Sequence, residues 1–116
     1  METILIIEDD ESNRITLCAL LDDEGFKIVE AASLKEARER MRVPGADFGL
    51  ILTDQHLGDG LGSDLLPEMR ERFPRAKVVL ISGSVRPDDL PEGMDALLPK
   101  GTEFTTVLSL LRSLLK

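Results

Sequence analysis

Residues 3–10 read Thr3-Ile4-Leu5-Ile6-Ile7-Glu8-Asp9-Asp10. Four adjoining aliphatic side chains with no polar alternation suit a strand covered on both faces, which a parallel sheet between two helix layers provides. The run stops on three acids in a row, so charge gathers at the carboxyl end of that strand. Beyond it, short apolar runs alternate with amphipathic stretches. Ser12 to Glu24 predicts a helix with Thr16, Leu17, Leu20 and Leu21 inward and Gly25 as its stop. Lys27 to Ala31 is charged enough to be an edge strand. Ser33 and Glu36 form a capping-box pattern, opening a helix that turns Leu34, Ala37 and Met41 inward before Val43-Pro44-Gly45 ends it.

Phe48 to Thr53 is the third predicted strand, and a glycine-rich loop follows from Asp54 to Gly62. Ser63 is placed to cap a helix to Arg72, where Leu65, Leu66, Met69 and Phe73 are apolar and Pro67 falls near the first turn. Val78 to Ser82 is a fourth strand, and Ala96 to Leu98 a fifth, which Pro99 assigns to a sheet edge. A last helix spans about Glu103 to Leu115, with Phe104, Val107, Leu108, Leu111 and Leu115 on one side. Strands spaced by helices imply parallel pairing through right-handed crossovers. With the second and fifth strands at the edges, the expectation is one α/β domain over residues 1–116. Its form is a three-layer sandwich around a five-stranded parallel sheet in the order 2-1-3-4-5.

The 116 residues include 14 Lys and Arg against 22 Asp and Glu, a formal charge of −8. That excess argues against a nucleic-acid partner, whose phosphates would be repelled. Cys18 is the single cysteine, which excludes an internal disulfide and a thiolate zinc cage and fits a reducing cytoplasm. No apolar run nears the roughly 20 residues of a membrane span, and no export signal is expected at the N-terminus.

The residues that terminate the predicted strands carry the chemistry. Glu8, Asp9 and Asp10 end the first strand, Asp54 follows the third, Ser82 ends the fourth and Lys100 follows the fifth. In the inferred order the first and third strands are neighbours, so Glu8, Asp9 and Asp54 converge. Two carboxylates about 5 Å apart repel by roughly 3 kcal/mol at an effective dielectric near 20, so a cation or protons must answer them. Oxygen ligands without imidazole or thiolate favour Mg²⁺, which keeps positions open for a phosphoryl oxygen. Ser82 adds a hydroxyl and Lys100 a positive charge, the equipment for phosphoryl transfer.

These segments together resemble the receiver domain of two-component response regulators, a CheY-like fold, over essentially the whole chain. The matching pieces are Ile4 to Asp10 with Asn13-Arg14, Leu50 to Asp54, Gly62, Val78 to Gly83, and Leu97-Leu98-Pro99-Lys100. The resemblance implies that Asp54 is the phosphoacceptor, served by a histidine kinase or phosphotransfer protein. By the same resemblance Asp9 binds Mg²⁺ directly, Glu8 does so through water, and His56 offers its main-chain carbonyl while its ring faces solvent. Ser82 and Lys100 contact the phosphoryl group, small Gly83 leaves it open to its donor, and Asp10 adds a little to the field.

Three departures fall on one side of the fold. Gly101 stands where the family usually has a proline after the lysine, and Leu97 stands where it usually has an aromatic switch residue. Pro87, Pro91 and Gly93 break up the stretch that should hold a fourth helix, which is therefore expected to be short, irregular or missing. The expectation is an unconventional signalling face, with no DNA-binding module after the last helix. Two further readings compete: a phosphorylation-independent docking module, or a true Mg²⁺-dependent phosphatase. The second would need a paired Asp-x-Asp, but position 56 is His rather than a second carboxylate and no general acid stands beside Asp54, so a turnover enzyme is not expected. Cys18 and Ile15 are read as surface apolars of the first helix. Leu110 is read as off the inward stripe of the last, leaving a homodimer contact open.

Overall fold

The computed structural model describes residues 2–116, and in it the Ile4–Ile7 run is fully enclosed. The elements are β1 (Thr3–Ile7), α1 (Glu11–Asp23), β2 (Lys27–Ala31), α2 (Leu34–Met41) and β3 (Leu50–Asp54). A two-residue hairpin follows, β4 (His56–Leu57) with β5 (Gly60–Leu61), then α3 (Leu66–Arg72), β6 (Lys77–Ser82), β7 (Ala96–Pro99) and α4 (Phe104–Leu114). The main sheet runs β2-β1-β3-β6-β7, and each neighbouring pair is parallel. In sequence numbering of the five long strands this is the expected 2-1-3-4-5 order, with helices on both faces.

Strand alternation divides the core in two. Leu5, Ile7, Ile51 and Val78 point toward α2 and α3, where Leu34, Ala37, Met41 and Met69, with Leu65 from the turn before α3, cover them. Ile4, Ile6, Leu52 and Val79 point the other way, under α1 and α4. Phe48 and Phe73 close the base of the first layer edge to face, with ring centroids 5.0 Å apart.

Several local expectations need correction. Cys18 is buried with Leu21 beneath α1, whereas Thr16 and Leu20 are exposed. The apolar side chains Leu17, Cys18, Leu20 and Leu21 wrap much of that helix, so two inward stripes are compatible with the sequence. The sheet takes Cys18 and Leu21, while Leu17 and Leu20 line a cleft toward Phe104 on α4. Ile15 is exposed as expected, but Leu110 is half-buried and packed on the core. Ser63 caps nothing: it lies in a 3₁₀ turn, Gly62–Leu65, and α3 starts at Leu66, with Pro67 in its first turn. The third strand starts at Leu50 rather than Phe48 and includes Asp54.

Between β6 and β7 the fourth helix is reduced to a 3₁₀ turn at Pro87–Asp89. One guanidinium ties this segment down. Arg70 donates to the carbonyls of Gly93 and Ala76 and pairs with Asp95 at 2.7 Å, while Asp95 accepts from the Val78 N–H at 2.7 Å. No helix among the described residues is long and apolar enough to cross a membrane.

Candidate functional site

Parallel pairing of β1 with β3, Ile7 opposite Thr53, brings the residues after each strand side by side. Glu8, Asp9 and Asp54 each offer a carboxylate oxygen, and the three atoms lie within 4.8 Å of one another. Asp54 is only 1 % exposed and Glu8 is buried, whereas Asp9 is exposed. From β7, Lys100 reaches across so that its Nζ donates to Asp54 Oδ2 at 2.9 Å. The other oxygen, Oδ1, is buried without a partner among the described residues.

Charge crowding shows in the protonation of the group. Burial, then the neighbouring Asp54 carboxylate, push the Glu8 carboxyl up to about 7, although the Asp10 N–H pulls the other way. The hydrogen bond to Asp54 raises Lys100, against a smaller effect of burial, so the ammonium is held charged. The donor set is all oxygen, and the unpartnered Oδ1 faces no competing hydrogen bond. These residues fit a hard divalent cation.

The loop after Asp54 is fixed by neighbours that sequence reasoning passed over. Gln55 and Ser63 bond reciprocally: the Gln55 amide donates to Ser63 Oγ, and the Ser63 N–H donates to Gln55 Oε1, both at 3.1 Å. That exchange is why Ser63 is unavailable as a helix cap. At Gly62 an added Cβ would lie 2.2 Å from the Asp54 carbonyl oxygen, so the loop closes only over glycine. Asp59, at the tip of the β4–β5 hairpin, accepts from the N–H groups of Leu34 and Lys35 and tethers the loop to the start of α2. Asp10 is better described as the N-cap of α1 than as part of the acidic field, since Oδ1 accepts from the Asn13 N–H at 2.8 Å. The order Asp10-Glu11-Ser12-Asn13 carried that signal.

Ser82 is buried at the end of β6, on the same edge of the sheet. Its Oγ accepts from the N–H groups of Ser84 and Val85, both at 3.1 Å, so it caps the start of the irregular segment. The His56 ring is exposed as expected yet engaged, with Nε2 3.0 Å from Ser84 Oγ. Gly83 has open space where a side chain would be, apart from the Lys100 stem at 3.8 Å. Gly101 adopts φ +85°, a conformation closed to proline, whose ring fixes φ near −65°. All the sequence-derived site residues therefore lie at one edge, and Asp54, Glu8, Asp9 and Lys100 meet directly.

Comparison with known proteins agrees with this arrangement. The profile of the response regulator receiver domain matches residues 4–109. Sensor kinase CckA of Brucella abortus is 32 % identical over 81 residues, 70 % of this chain and 9 % of that protein. Hydrogenase transcriptional regulatory protein HoxA of Cupriavidus necator is 32 % identical over 94 residues, 80 % of this chain and 19 % of that protein. The chain thus corresponds to a small part of these relatives. Among solved structures, a CheY-like response regulator receiver domain protein from Methanospirillum hungatei is 25 % identical. It superposes with a TM-score of 0.90, covering 99 % of this chain and 94 % of that one. With its strand order, its acidic edge and its profile match in agreement, the chain belongs to the receiver domains of two-component response regulators.

Proposed function

We propose that Asp54 accepts a phosphoryl group from a phosphohistidine of a histidine kinase or phosphotransfer protein, in a Mg²⁺-dependent step. The observation that carries this reading is the half-engaged Asp54 carboxylate: Oδ2 is bonded to Lys100, and buried Oδ1 is left free. A buried acceptor without a partner costs on the order of 1–3 kcal/mol, so the pocket is built for something further. Asp9 and Asp54 would hold Mg²⁺ directly, Glu8 through water, and His56 by its main-chain carbonyl. When bound, Mg²⁺ supplies charge neutralisation for the carboxylates and the phosphoryl oxygens.

A carboxylate oxygen of Asp54 forms the new P–O bond as the P–N bond to the donor imidazole breaks. The bonding pair leaves with the imidazole nitrogen. Lys100 would shift from the carboxylate to the transferred oxygens, and Ser82 would donate its hydroxyl hydrogen to them. The product is an acyl phosphate on the chain itself, so the domain is a phosphoacceptor rather than a turnover enzyme. Similarity to a sensor kinase and to a transcriptional regulator supports a place in a two-component relay. Output would pass through an atypical face, because the segment between β6 and β7 is a strapped loop and Leu97 replaces an aromatic ring.

Incubation with acetyl phosphate and Mg²⁺, followed by intact-mass measurement, is expected to add one phosphoryl group. Asp54→Asn should add none. A phosphoryl adduct that persists in Asp54→Asn removes this assignment. The irregular segment favours one second reading, a docking module that works without phosphorylation, and the absence of any adduct on the parent chain would support it.

A further inference from the structure

Arg14 lies within the most acidic part of the chain but neutralises none of the three clustered carboxylates. Its side chain is 14 % exposed. Nη1 donates to the main-chain carbonyl of Glu8 at 3.0 Å, and Nε pairs with Glu30 of β2 at 3.1 Å. Glu30 is held in turn, since its carbonyl accepts from Arg40 Nε at 3.2 Å. The guanidinium thus spans three elements: the turn after β1, the first turn of α1, and the edge strand β2. The carbonyl it grips belongs to the peptide that joins Glu8 to Asp9. Turning that peptide would swing the Asp9 side chain, which is exposed and has no hydrogen-bond partner among the described residues to fix its direction.

We propose that Arg14, with Glu30 as its counter-charge, is a positioning residue that orients the Glu8–Asp9 peptide so that both acids present their oxygens to one divalent cation. The inference rests on the reading of the acidic cluster as a Mg²⁺ site. The fork geometry matters here. A guanidinium can donate to a carbonyl and a carboxylate at once from fixed directions, whereas an ammonium is a single point of charge. Glu30 matters because it occupies the remaining positive charge, which otherwise would be free to compete with the cation for Asp9. Ligand-orienting groups of this kind typically change metal affinity by about 10- to 100-fold when removed.

The test is calorimetric titration of the metal-free chain with MgCl₂. Arg14→Met is expected to weaken binding by about tenfold, with Arg14→Lys restoring only part of the loss. Glu30→Gln keeps an acceptor oxygen but not the charge, and should weaken binding by a smaller factor while leaving the fold intact. Arg112→Met serves as the control. It removes the Arg112–Glu24 pair at the far end of α1, at 2.8 Å, and a loss of helix anchoring alone would act there too. Its Mg²⁺ affinity should equal that of the parent chain. Parental affinity in Arg14→Met, or in both Arg14→Lys and Glu30→Gln, overturns the positioning role alone. A parent chain that takes up no Mg²⁺ overturns both this role and the metal reading beneath it.

Discussion

At Gly62 the loop that follows Asp54 passes so close to the Asp54 main chain that one methyl group has no room, because the nearest atom an added Cβ meets is a backbone carbonyl oxygen that cannot rotate away. Gly62→Ala should therefore cost roughly 1–3 kcal/mol, measured by urea denaturation, and should disturb the Asp54 loop first. Glu8 gives a second prediction, in the sign of a pH dependence. In the folded, metal-free chain its carboxyl keeps a proton up to about 7, against 4.5 for the ordinary value. Across that window the folded form binds more protons than the unfolded one, so stability falls as pH rises. Thermal unfolding in chelator should show the midpoint dropping between those values, and saturating Mg²⁺ should flatten the slope because the cation favours the ionised carboxylates. The strand-terminal residues were legible because each follows directly on an apolar run. Asp10 was misjudged because an acid beside two others reads as charge, while its bond to the Asn13 N–H is a matter of local geometry.

Among the elements, the five sheet strands and all four helices were readable from hydrophobic pattern, and the β4–β5 hairpin was not. Two-residue strands have no period to detect, and what fixes them is Asp59 reaching α2 and Gln55 reaching Ser63. The burial of α1 was half legible: its apolar residues were plain, but which of them meet the sheet depends on α4, some eighty residues away. Pro87, Pro91 and Gly93 foretold that the helix expected between β6 and β7 would be short, irregular or missing, and a 3₁₀ turn stands there; the contacts that hold it could not be foreseen. Arg70, on α3, contacts Gly93 and Asp95 across more than twenty residues. Burial alone would raise the Asp95 carboxyl. The Val78 N–H and the Arg70 guanidinium outweigh that effect and hold it below the ordinary aspartate range. Arg70→Ala should thus remove roughly 1–3 kcal/mol and speed amide exchange within residues 83–95 before it reaches β1 or β3. Equal acceleration in the central strands would show that the strap is not local.

For the molecule as a whole, the sheet brings the carboxylates together, and a cation held there, as proposed, would decide what their proximity costs. Binding to the native state alone must raise the unfolding temperature. At a Mg²⁺ concentration ten times the dissociation constant, the gain is about 1.4 kcal/mol, which is a rise of several degrees for a chain of this size. Asp9→Asn should keep the fold and lose most of that rise in differential scanning calorimetry. A full rise in Asp9→Asn would move the cation away from this edge. Both core layers are apolar and the net charge is −8, so the unanswered acids weigh on the same marginal stability that the core supplies.

The backbone at Gly101 has a consequence for anyone who compares or recombines such chains. Its φ of +85° is a left-handed corner. Copying in the proline usual elsewhere in the family would not be a neutral exchange. The corner would have to invert, and the ammonium one residue earlier would be carried off its carboxylate. Grafts between these domains are interchangeable only where the two main chains bend the same way.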